Sequence, residues 1–154
     1  MDVAGRVVLI TGASSGVGAA LAEHLAGMGA RVVVNYSRSA DAAEAVVSRI
    51  TSAGGQALAV QADVSEEADC KRLVAAAIEQ FGQLDVLVNN AGTTTFVPHD
   101  QLYALTEDIW LRTLRVNLVG AFTMSREVAP HIEAAGGGEI VMTSSIASTT
   151  ANGS

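Results

Sequence analysis

Five short runs of branched apolar residues, each separated from the next by a stretch long enough for a helix, leave this chain very few ways to fold. The runs are Arg6 to Thr11, Arg31 to Tyr36, Gln56 to Gln61, Leu84 to Val88 and Glu139 to Thr143. Their apolar residues do not alternate with polar ones, so both faces of each strand must be covered, as in a parallel sheet. Helix-length connections between parallel strands cross over right-handedly and lay helices on both faces. The expected architecture is a doubly wound α/β domain, one unit over residues 1–154 with a five-strand sheet, and no linker-like run divides it.

The intervening stretches repeat apolar or small residues at helical spacing. Val17, Ala20, Leu21, Leu25 and Met28 form the first predicted buried face, broken only by His24. Ala42, Ala45, Val46, Ile50 and Ala53 form the second, and Cys70, Leu73, Val74, Ala77, Ile78 and Phe81 the third. Ser65, with Glu66 and Glu67, is expected to start the third helix, while Gly29, Gly54 and Gly82 end theirs. A further helix is predicted from Thr106 past Val128, with the interior stripe Trp110, Leu114, Leu118 and Ala121. Asn117 falls on that stripe. An inward carboxamide needs partners, supplied either by the fold or by a site that employs it. Gly136-Gly137-Gly138 reads as a turn into the last strand.

Composition removes several functions. A formal net charge of -7 argues against a binder of nucleic-acid backbones, which must neutralise phosphates. The single cysteine, Cys70, sits in helix-core phase and has no disulfide partner, and Met1-Asp2-Val3 lacks the basic start of a secretion signal. A cytoplasmic protein with no membrane partner is expected. His24, His99 and His131 lack metal-ligand spacing, so no metal is implied.

Directly after the first strand runs Thr11-Gly12-Ala13-Ser14-Ser15-Gly16-Val17-Gly18, and a helix begins at once. Glycines in that context permit a tight turn, a close backbone approach to a pyrophosphate, and contact between helix and strand. The helix amino terminus then receives the anion. A plain glycine connector is the alternative. At the end of the second strand, where a carboxylate would bind the ribose hydroxyls of NAD, stands Tyr36-Ser37-Arg38. With Ser37 and Arg38 there and no acid, the site favours NADP and leaves NAD possible. Arg38 as a solvated loop arginine is the competing account.

These residues resemble the short-chain dehydrogenase/reductase family over the whole chain. The turn from Thr11 to Gly18 matches in full, Asp63-Val64 resembles the adenine-contacting pair, and Asn89-Asn90-Ala91-Gly92 the structural and cofactor-lining motif. Val34 to Arg38 and Leu84 to Val88 are most similar to the 3-oxoacyl-(acyl-carrier-protein) reductase and glucose dehydrogenase group. The resemblance implies a Rossmann fold, with Gly12, Ser14, Ser15, Gly16, Val17, Gly18, Ser37, Arg38, Asp63, Val64, Asn90, Ala91 and Gly92 at the cofactor. From the residues alone, Asn89 either ties two strands or touches a ligand.

The resemblance also implies two catalytic residues. Asn117 in Arg115-Val116-Asn117-Leu118 matches the asparagine that holds a relay water, and Ser145 the serine that hydrogen-bonds the substrate carbonyl. Without the resemblance, Thr143-Ser144-Ser145 reads equally as a cap or turn. The family's Tyr-x-x-x-Lys pair is expected beyond Ser145, and neither Tyr36 nor Tyr103 has a lysine four residues later. Loss of a general acid removes a factor of about 10² to 10⁴, so residues 1–154 alone are expected to be inactive.

The implied activity is hydride transfer between NADP(H) and a small-molecule carbonyl or alcohol, such as a 3-oxoacyl thioester, in a homo-oligomer paired through the long helix from Thr106. The loop from Thr93 to Gln101 is expected near the substrate entrance. A catalytically inactive dinucleotide-binding module is the main alternative. A methyltransferase using S-adenosylmethionine would want an acid where Tyr36-Ser37-Arg38 stands.

Overall fold

A computed structural model describes residues 3–150; Met1, Asp2 and the Ser154 end, on which the reading of the termini rests, lie outside the described residues. Five parallel strands form one sheet in the order β3-β2-β1-β4-β5, with β1 Val7–Ile10, β2 Arg31–Tyr36, β3 Gln56–Gln61, β4 Val86–Asn89 and β5 Glu139–Met142. The helices are α1 Gly16–Gly27, α2 Ala40–Ser52, α3 Glu67–Phe81, α4 Glu107–Leu114, α5 Ala121–Ala134 and the short α6 Ala147–Thr150. The doubly wound α/β fold is therefore as expected. The chain winds one way from β1 to β3, then crosses to β4 and β5, so the direction switches between β1 and β4. Ligands of open α/β sheets bind at that switch, beyond the strands' carboxyl ends.

Successive residues of β1 serve opposite layers, as the pleat requires. Val8 and Ile10 pack with Ala19, Ala22, Ala43, Val46 and Ile50 of α1 and α2. Val7 and Leu9 pack with Leu73, Ala77, Met124 and Val128 of α3 and α5. Each fully buried Val, Leu or Ile contributes about 1.5 to 3 kcal/mol, which is why the unalternating strands had to be central.

The helical faces are corrected at three places. In α1 the buried residues are Gly18, Ala19, Ala22 and Ala26, whereas Val17 is 70% exposed and Met28 is 50% exposed. Small residues win because α1 lies against the loops it follows: a Cβ on Gly18 would stand 2.6 Å from Asn90 Nδ2. In α2, Ala43 is buried beside Val46 and Ile50, and Ala45 is exposed. Only α3 follows the expected pattern throughout its buried core of Cys70, Leu73, Val74 and Ala77.

The largest correction concerns the helix after Thr106. The side chains of Trp110, Leu114 and Leu118 are exposed, and the core takes Val116, Gly120, Met124, Val128 and Ile132 instead. The two sets are two residues out of step, about 200° around a helix at about 100° per residue. Thr106 does start the helix, its hydroxyl accepting from the Ile109 amide at 3.5 Å. Between α4 and α5 the chain widens into one π turn, Arg115–Gly120. Ser65 does not start α3; Glu66 occupies the cap position, and the Ser65 hydroxyl turns to Asp63. Among the described residues no helix is long and apolar enough to cross a membrane.

Candidate cofactor site

At the switch point the loops after β1 and β4 are stitched together by one side chain from each. Thr11 Oγ1 accepts from the amides of Asn90 and Ala91, both at 3.0 Å. Asn90 Nδ2 donates back to the carbonyls of Thr11 at 2.9 Å and Gly12 at 3.1 Å. This closeness is what demands Gly12: its φ is +64°, and a Cβ there would lie 2.9 Å from the Ala91 Cα.

A second clamp comes from Asn35, a buried polar residue in an otherwise apolar strand. Its Oδ1 accepts from the Gly12 amide at 3.1 Å, and its Nδ2 donates to the carbonyls of Ala62 at 3.0 Å and Val60 at 3.3 Å. Its own carbonyl accepts from Ala13 at 2.7 Å. One carboxamide thus fixes the glycine turn relative to the loop after β3. The sequence reading missed it, although an asparagine within Val32-Val33-Val34-Asn35-Tyr36 has to find such partners when buried.

The stitched loops enclose a cleft of about 330 Å³. Of the expected residues, Gly12, Ser14 and Ser15 line it from the turn, Ser37 and Arg38 from beyond β2, and Asp63 and Val64 from beyond β3. Asn90, Ala91 and Gly92 complete the wall from β4. Gly16, Val17, Gly18, Asn117 and Ser145 are not among the lining residues; Thr93 is, at the start of the loop expected near the substrate entrance, and so are Arg112 and Val116, which no sequence signal marks. The lining holds two guanidiniums, Arg38 and Arg112, against one carboxylate, Asp63. A chain of net charge -7 thus keeps a basic cleft.

The amides of Ser14, Ser15, Gly16 and Val17 have no main-chain partner among the described residues, and Ser15, at the cap of α1, makes no side-chain cap bond. These orphan donors at a positive helix end fit an anion. Opposite them, Asp63 Oδ1 accepts from the Ser65 hydroxyl at 2.7 Å and the Ser65 amide at 3.0 Å, and Arg112 Nη2 donates to Oδ2 at 3.1 Å. Burial pushes the Asp63 carboxyl upward, but the Ser65 and Arg112 hydrogen bonds and the Arg112 charge outweigh it and hold its pKa below 3.8. Cys70 is the reverse case: burial drives its thiol up to about 11, so it is packing.

Asn117 lies in the π turn and is exposed, which corrects its expected inward placement. Its Oδ1 accepts from the Thr93 amide at 2.8 Å and its Nδ2 donates to the Thr93 carbonyl at 2.9 Å, so it grips the loop that leaves the cleft. Ser145 follows β5 and is exposed, its Oγ accepting from the Ala147 amide at 3.2 Å. Asn89 ties β4 to its neighbours, its Nδ2 donating to Ser125 Oγ at 3.1 Å. Tyr36 ends β2 on the other side of the sheet from Ser145, and Tyr103 stands fully exposed before α4.

The model of the short chain dehydrogenase family matches residues 6–154. A ketoacyl reductase assigned to the granaticin polyketide synthase of Streptomyces violaceoruber is 45% identical over 148 residues, covering 96% of this chain and 58% of that protein. A versicolorin reductase of Emericella nidulans is 43% identical over 141 residues, 92% of this chain and 52% of that protein. A short chain dehydrogenase of Burkholderia cenocepacia, crystallised with NADP, shares the fold at a TM-score of 0.88 and 38% identity, over 100% of this chain and 61% of that one. The chain belongs to the short chain dehydrogenase family. It spans little more than half the length of the curated relatives it matches.

Proposed function

We propose that the protein is an NADP(H)-preferring oxidoreductase that moves a hydride between the nicotinamide and a small-molecule carbonyl or alcohol. The observation that carries this reading is the basic cleft, in which Ser14 and Ser15, whose amides have no main-chain partner among the described residues, share one space with Ser37 and Arg38. The residues fit the group. Those amides would hold the diphosphate, Arg38 and Ser37 a 2'-phosphate, and Asp63 and Val64 the adenine. When bound, NADPH supplies the hydride.

This chain's own residues do the remaining work within reach of β4 and β5. Ser145 presents a hydroxyl to the substrate oxygen. Asn117 commits one amide hydrogen and one oxygen lone pair to Thr93, leaving one of each for a relay water. Two of the relatives are named for reductions, one of a ketoacyl group and one of versicolorin, which favours a polyketide-like or 3-oxoacyl carbonyl as substrate. The exposed face of Trp110, Leu111, Leu114, Leu118 and Phe122 exceeds what solvent-facing helices usually show and fits pairing with a second copy in a dimer or tetramer.

The test is the ratio of NADPH to NADH affinity in wild type and Arg38→Ala, read by nicotinamide fluorescence. A charge-assisted bond to phosphate is worth about 1.5 to 3 kcal/mol, so the ratio should fall about tenfold or more. An unchanged ratio refutes the phosphate role. NADPH binding without turnover of any carbonyl by the protein expressed from its complete coding sequence would favour the inactive binding module.

A further inference from the structure

Arg38 is exposed, and no hydrogen bond or ion pair to another described residue holds its guanidinium. Among the described residues its loop has one side-chain tether. Gln61, the last residue of β3, pairs in register with Tyr36, the last of β2, and reaches one residue further: its Nε2 donates to the Ser37 carbonyl at 3.1 Å. Gln61 is itself anchored, because the Tyr36 carbonyl accepts from the Ala62 amide at 2.8 Å and the Gln61 carbonyl from Arg72 Nη2 at 3.1 Å. Gln61 is not among the residues lining the cleft, whereas Ser37, Arg38 and Ser39 are. The amides of those three have no main-chain partner among the described residues.

We propose that Gln61 is a positioning residue for the 2'-phosphate: it sets the Ser37–Arg38 peptide, and through it Arg38, so that the protein prefers NADP(H) to NAD(H). The role rests on the dinucleotide reading above and deepens it. The Ser37 carbonyl and the Arg38 N–H belong to one planar trans peptide and point opposite ways, so fixing the oxygen fixes the donor. A flip of that peptide would set a carbonyl oxygen, which repels phosphate, where the amide stood. Loop and side-chain freedom is also lost when a phosphate is bound, and a loop already held in place loses less. The tether therefore contributes little to a dinucleotide without the 2'-phosphate and adds to the affinity of one that has it.

The probes are NADPH and NADH, titrated by nicotinamide fluorescence into the protein expressed from its complete coding sequence. Gln61→Met keeps the length but cannot donate; it should lower the NADPH to NADH affinity ratio about threefold to tenfold, the range for one neutral hydrogen bond, with NADH binding within about twofold of wild type. Gln61→Lys restores a donor of similar reach and should keep the ratio at or above that of wild type. A purely structural Gln61 would weaken both coenzymes by the same factor, and that result, an unchanged ratio, or a lysine variant that behaves as the methionine one does overturns the assignment. Should Gln61→Met fail to fold, Gln61→Ala carries the same comparison with the same outcomes. If Arg38→Ala lowers the ratio while Gln61→Met does not, the role of Gln61 alone falls. If neither moves it, the phosphate role of Arg38 falls and this assignment with it.

Discussion

The two halves of the sheet's carboxyl edge are held in opposite ways. Around β1, β2 and β3, the glycine turn and the loops beyond are locked by Thr11, Asn35 and Asn90, whose polar atoms find partners inside the fold. Around β5, all four strand residues are exposed, and Ser145 and Asn117 stand on the surface with partners from short loops. The geometry of the cleft is therefore held by buried and half-buried hydrogen bonds within the fold, and should survive changes on the other side. The side proposed to react carries Ser145 and Asn117, exposed residues whose removal should cost the fold little. Stability and turnover should separate along this line.

The sharpest way to break the contrast is a pair of asparagine variants. Asn35→Leu keeps the branched shape but strands the Gly12 amide and removes the side-chain donor to the carbonyls of Val60 and Ala62. Each orphaned group costs about 1 to 3 kcal/mol, so urea unfolding should show a loss of about 2 to 4 kcal/mol after partial rescue by water. In the protein expressed from its complete coding sequence, Asn117→Ala should leave unfolding within about 1 kcal/mol, as for other exposed sites, yet lower kcat about a hundredfold through the lost relay. Equal losses of stability in both would erase the distinction.

The exposed helix face gives a smaller and different effect. Trp110→Asp with Leu118→Lys touches no described core residue, so the protomer should keep its stability within about 0.5 kcal/mol. Sedimentation velocity should show a shift towards monomer. An unshifted oligomer would move the interface elsewhere.

The smallest effect is titration. The folded-state pKa of Asp63 lies below its ordinary value, so its pairing stabilises fully above pH 3.8 and is lost as pH falls through the lower folded value. Replacing Arg112 with Leu should shift that titration upward when followed by carboxyl NMR. A fixed value would mean that Ser65 alone holds the carboxylate.

Much of this arrangement was legible in the sequence, for reasons that also explain the rest. Strands buried on both faces announce themselves by Val, Leu and Ile without alternation, and Gly12, Gly16 and Gly18 mark a turn that only glycine can make. Ten of the expected cofactor residues line one cleft because each ends a strand, and strand ends in a parallel sheet converge. Helix faces were harder. Periodicity weighs size, so it chose Val17 and Met28, whereas closeness to the sheet selected Gly18, Ala19, Ala22 and Ala26. After Thr106 two apolar stripes coexist, and spacing cannot say which meets the core of the same chain. Asn35 and Arg112 act across long separations, 27 residues to Ala62 and 49 to Asp63, and no local pattern reports such pairs.

Titration of isotope-labelled protein with NADP, followed through backbone amide resonances, bears most directly on the anion site at α1. The amides of Ser14, Ser15, Gly16 and Val17 should move first and furthest, since they have no main-chain partner among the described residues and would take the diphosphate. Silent resonances there, with shifts gathered around another part of the surface, would contradict the account.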